Sequence, residues 1–231
     1  MADTTSVVAP TETTDKSKKT SDYERPEQTL ERHRLSLTNA NDPRILDILG
    51  RYNYSTTRIN DGLALVKKAT DMIAGQKKEK GEQLAASKVL DNRFTDALEQ
   101  FKITRTIARS VFANDPNAYV ALELNGEMKS SLSGFVKQAG TFYANILTNA
   151  SFSSALAEYG FTEEKLLAEQ ALITGVLEAN SMHKKERGEA IEATALRDAA
   201  FDDLDAWMSR FYTIVNASMK KQPELLRILG M

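Results

Sequence analysis

The chain offers few residues with which to do chemistry. His33 and His183 are the only histidines in 231 residues, and there is no cysteine. Disulfides, thiolate metal sites, iron–sulfur clusters and cysteine nucleophiles are therefore excluded together. Di-iron helical bundles bind metal through a glutamate followed three residues later by a histidine, but positions 30 and 180 hold Leu30 and Asn180. With no ligand spacing around them, both histidines read as solvated surface residues, His33 in the entry segment and His183 in a charged stretch. The acidic pairs Asp202-Asp203 and Glu163-Glu164 fit an exposed helix face and a helix's first turn, where carboxylates favour the positive end of the dipole. No phosphate loop, dinucleotide glycine fingerprint or serine elbow occurs. These observations predict a non-enzyme with no catalytic, cofactor-binding or metal-ligating residue.

Two basic clusters, Lys16-Ser-Lys18-Lys19 and His183-Lys-Lys-Glu-Arg187, could touch phosphate, yet each is short and the second carries its own glutamate. Thirty Lys and Arg against 32 Asp and Glu leave a net charge of −2, so no global field draws in nucleic acid. Trp207, Phe211 and Tyr212 recur at helical spacing, which reads as core packing and not as an aromatic binding patch. No stretch approaches the ~20 apolar residues of a membrane span, and the first thirty residues lack a signal-peptide core. The expectation is a soluble, cytoplasmic protein, although export by a signal-independent route would leave the sequence unchanged.

The elements that must carry these residues are helices. Ala, Leu, Glu, Lys and Gln, all strong helix formers, dominate two long proline-free stretches between Pro43, Pro116 and Pro223. Sliding the chain by 107 residues aligns 45–122 with 152–229 without a gap, and the identities include Lys77-Lys78-Glu79 with Lys184-Lys185-Glu186, Phe94 with Phe201 and Pro116 with Pro223. Helix signals recur in register. Thr162 is the expected N-cap of one long helix, with Phe161 stapled onto Leu166, and Tyr54, Ser55 and Ile59 take the same roles in the first copy. Apolar stripes follow, as in Ile59, Leu63, Val66, Ala69 and Ile73, and in Leu196, Ala200, Leu204, Trp207 and Phe211. Each stretch ends before a proline, where a short amphipathic helix begins.

The shape turns on residues 74–83 and 181–190, where the stripe disappears into charged sequence around Gly81 and Gly188. A helix running through would make a rod over residues 56–113, ~87 Å long at 1.5 Å per residue; a turn there would instead give helical hairpins in a compact five-helix bundle. Lys and Glu are good helix formers and the heptad phase from Ile59 to Phe94 survives the gap, which favours the rod; the glycines favour a turn.

Four segments, Tyr159-Gly-Phe-Thr-Glu-Glu-Lys-Leu166, Arg197-Asp-Ala-Ala200, Leu204-Asp-Ala-Trp-Met-Ser209 and Pro223-Glu-Leu-Leu-Arg-Ile-Leu-Gly230, resemble a group of uncharacterised bacterial all-helical tandem-duplication proteins. The likeness covers mainly residues 159–230. It implies a bacterial, all-helical, non-enzymatic protein and transfers no functional residue, because the group has no assigned activity.

The expected architecture is all-α, an antiparallel helical bundle or coiled coil with long helices. Its expected divisions are an N-terminal tail at 1–25, a first helical unit at 26–126, a connecting helix at 127–149 and a second unit at 150–231. The tail is too polar to build a core of its own, and is expected to be disordered or to order as an arm against a neighbouring subunit. Two functional classes follow: a structural or scaffolding protein that self-associates, into a filament or another higher-order assembly, or an adaptor that binds a partner protein without assembling.

Overall fold

The computed structural model describes residues 26–231; the expected N-terminal tail and the Lys16–Lys19 cluster lie outside the described residues. Eight α-helices are present, α1 (Pro26–Asn39), α2 (Pro43–Gly50), α3 (Thr56–Val111), α4 (Pro116–Ala121), α5 (Leu132–Thr148), α6 (Ala150–Ala157), α7 (Glu163–Ser218) and α8 (Pro223–Ile228), and the described residues include no strand. The fold is all-α, and its frame is the pair α3 and α7, each an unbroken helix of 56 residues, ~84 Å long. They run antiparallel. Lys68 Nζ lies 3.0 Å from Asp203, Arg93 donates to the Gly175 carbonyl at 3.0 Å and Gln100 reaches Glu169.

The helix therefore continues through both charged stretches, and the hairpin alternative is overturned. Lys78 bridges Glu82 and Lys185 bridges Glu189 one turn on, each at 3.1 Å, and such i,i+4 pairs reinforce a helix that packing does not cover. Neither Gly81 nor Gly188 has a positive φ or any crowding atom. They lower helix propensity without breaking the helix.

The ends of the elements follow their sequence signals. The Ser55 hydroxyl accepts from the Arg58 N–H and opens α3, and Thr162 does the same for α7 with the Lys165 N–H. Ahead of these caps, α2 and α6 close alike: Asn53 (φ 65°) and Gly160 (φ 79°) turn left-handed, and the N–H groups of Tyr54 and Phe161 return to the carbonyls of Leu49 and Leu156. This is the Schellman closure, which satisfies carbonyls the helix end leaves open. Helix α5 starts later than the expected 127, because the Ser131 hydroxyl caps it by accepting from the Gly134 N–H.

Packing divides the rod into two cores with a waist between them. One core gathers α4, α5 and α6 around the C-terminal half of α3 and the N-terminal half of α7, with Phe101, Phe135 and Phe142 at its centre. The other gathers α1, α2 and α8 around the remaining halves, with Ile59, Leu204 and Phe211. Both sequence stretches 26–126 and 150–231 thus contribute to both cores. Between Ile73 and Leu90 on α3, and between Ala179 and Ala200 on α7, no residue is buried. That waist is ~25 Å long.

Candidate functional site

Of the residues singled out from the sequence, His33 departs furthest from expectation. It is only 4% exposed, since α1 lays Leu30, His33 and Leu37 along one face against the rod. Its Nδ1 lies 3.0 Å from the Tyr212 hydroxyl, which donates to Ser36 Oγ at 3.2 Å, and Ser36 donates to the Leu229 carbonyl at 2.7 Å. Asn39 Nδ2 caps the neighbouring Ile228 carbonyl at 2.6 Å. The relay ends on backbone carbonyls at the C-terminus of α8, so it fastens α1, α7 and α8 together by satisfying groups that a helix end leaves unpaired.

His183 is half-buried in the waist, Glu163 and Glu164 occupy the first turn of α7, and Asp203 pairs with Lys68. The structure brings none of these together. Phe211 is buried, with Trp207 stacked on it at 5.5 Å between ring centroids and the edge of Tyr54 against Trp207. The aromatic group is core, as its spacing predicts.

Sequence reasoning missed a buried carboxylate. Glu169, 4% exposed, accepts from Gln100 Nε2 at 2.7 Å on one oxygen, and from the Thr104 hydroxyl at 2.8 Å and the Tyr143 hydroxyl at 3.0 Å on the other. Burial, and then the charge of Glu169, push the Tyr143 hydroxyl well above the usual phenol range, which keeps it protonated as a donor. With both oxygens taken, Glu169 acts as a structural acceptor joining α3, α5 and α7. The signal was a single acidic residue set in the Leu166, Ile173, Val176 stripe. Nearby, buried Arg105 donates from one Nη to the carbonyls of Glu123 and Leu124, both at 3.1 Å, and burial draws its pKa down from the usual guanidinium value.

The waist holds the other cluster. Carboxylate oxygens of Glu79, Glu186 and Glu189 lie within 4.8 Å of one another, a set of hard donors of the type that holds divalent cations. Lys78 also pairs with Glu79, and Lys185 with Glu186, so part of this charge is already balanced. The carboxylates sit in an open groove of about 810 Å³ that runs across the α3–α7 pair and is flanked by Met72 and Leu196 toward one core and by Val89 and Met182 toward the other. No described helix is long and apolar enough to cross a membrane.

Comparison with known proteins assigns no family. No family model matches the chain, and neither a curated protein nor a solved structure matches it.

Proposed function

We propose that this is a non-enzymatic structural or scaffolding protein, built from two copies of one helical module, that self-associates through its helical surfaces into a filament or other higher-order assembly. The observation that carries the reading is that exposed apolar residues recur in pairs 107 positions apart. Leu84 is 58% exposed and Ile191 63%, and Tyr52 and Tyr159 are likewise open to solvent. Helix boundaries support the module: α2 and α6, α3 and α7, and α4 and α8 begin 107 residues apart and have equal lengths. Buried positions recur as well, among them Ile59 and Leu166, Val66 and Ile173, and Ala108 and Val215.

A chain that presents one surface twice is bivalent. Contacts between unlike ends propagate, whereas contacts between like ends close into a dimer. Multi-angle light scattering from low to high micromolar concentration tests the proposal, with negative-stain microscopy of the concentrated sample. Mass should rise with concentration, and Leu84→Lys with Ile191→Lys should suppress the rise while leaving helicity unchanged. A monomer at every concentration, salt and pH would refute it and leave the adaptor, a helical surface for a different protein, as the better reading.

A further inference from the structure

The waist groove has a composition that selects its occupant. Among its lining residues are five glutamates (79, 82, 186, 189 and 192) and two lysines, Lys78 and Lys185, a net charge of −3, while Met72, Val89, Met182 and Leu196 supply apolar flanks. Two copies of this face brought together would set −3 against −3, which disfavours a second copy as the occupant. The complementary ligand is a peptide that combines lysines with small apolar side chains.

We infer that the occupant is this chain's own N-terminal stretch, residues 7–19, seated with Lys16, Lys18 and Lys19 over the acidic centre of the groove. Two observations point to it. The first is composition: the stretch holds Val7, Val8 and Pro10 as well as the three lysines. The second is position. Helix α1 begins at the waist, where Glu27 Oε1 lies 2.8 Å from Lys77 Nζ, and the neighbouring Lys78 lines the groove. Lys19 precedes Pro26 by seven residues, a contour of up to ~24 Å, and a helix with its side chains is only ~10–12 Å across. The lysines therefore reach the groove of the same molecule, and the tether gives them a high effective concentration there. A seated arm would cover the waist and leave the two ends open for association, so the inference stands whether or not the protein assembles.

The absence of native cysteine makes the test direct. Spin labels are placed on Ser17→Cys and on Lys88→Cys, an exposed position at the groove's rim, in the full chain diluted with excess unlabelled protein. Pulsed dipolar spectroscopy should give a defined distance below ~25 Å, the reach set by the chain contour. The distance should lengthen and broaden at 1 M salt, and in Glu82→Lys with Glu189→Lys, where circular dichroism reports that the helices persist. A broad distribution that ignores salt and both substitutions would overturn the inference. So would a short distance that vanishes on dilution with unlabelled chains, because the arm would then sit on a neighbour.

Discussion

Gly62 and Glu169 lie 107 residues apart, both buried, at matching points of the two long helices, and the two cores fill the space beside them in opposite ways. Beside Gly62 the neighbouring helix supplies Trp207 and Phe211, and a Cβ added to Gly62 would come within 2.6 Å of the Trp207 ring. Beside Glu169 the corresponding positions are Gln100 and Thr104, and both donate to the carboxylate. One core closes by removing a side chain to admit a large ring. The other keeps the side chain and satisfies it with three donors. The backbone of the rod thus accepts either solution, provided that both helices change together.

Breaking the polar solution should have the largest effect. Glu169→Ala leaves three donors facing a void, and unsatisfied buried donors together with a cavity should cost about 4 kcal/mol, read as a lower urea midpoint at neutral pH. Glu169→Gln keeps an acceptor and should lose less than half of that. A double-mutant cycle with Tyr143→Phe then isolates the hydroxyl's share; no coupling between the two sites would mean that the network is not a unit.

The aromatic solution should break by crowding. Gly62→Ala drives a methyl group into a ring held in place by Phe211 and Tyr54, an overpacking cost of about 2 kcal/mol. Trp207→Leu in the same chain should recover part of the loss by opening room for the methyl. If Gly62→Ala is neutral, the ring moves easily and the close approach carries no constraint.

Much of the frame was legible because its determinants are local. Ser55 and Thr162 cap the helices they were expected to cap, Pro116 and Pro223 open the short helices, and i,i+4 ion pairs carry α3 and α7 through glycine. What escaped depends on partners distant in sequence. His33 looks solvated until α1 folds against Tyr212, 179 residues away. Glu169 resembles any surface glutamate until residues 65 to 69 positions away supply its donors. The recurrence at 107 also conceals these contacts, since it pairs Glu169 with a glycine that has no side chain to compare.

The waist offers a milder test, set against both cores. Gly81 and Gly188 sit in regular helix with nothing near an added Cβ, so Gly81→Ala and Gly188→Ala should each stabilise by up to ~1 kcal/mol. Only a continuous helix predicts that sign. Destabilisation in either variant would argue for a turn at these positions in solution.

The smallest predicted effect separates the cores by acid. Helices α2 and α6 begin at matching points, but their caps differ in charge: Asp42 accepts from the Arg44 N–H at 2.9 Å and also pairs with its guanidinium, whereas Asn149 accepts from the Ser151 N–H at 3.0 Å. Hydrogen bonds from the Arg44 side chain and backbone hold the Asp42 carboxyl at about 2, below its ordinary 3.8. A carboxyl whose pKa is depressed on folding contributes its stability in full above the unfolded value, and loses it as pH falls through the folded one. Acidification from pH 4 to 2 should therefore loosen the start of α2 and leave α6 unaffected. Carbon-detected NMR of the Asp42 carboxyl should place its midpoint near 2, and amide exchange should rise in residues 43–46 with no matching change in residues 150–153. Asp42→Asn should abolish the difference, because the amide oxygen still caps the helix but no longer titrates. A midpoint at 3.8 would show that the Arg44 pairing does not persist in solution, and the two helix starts would then differ only in sequence.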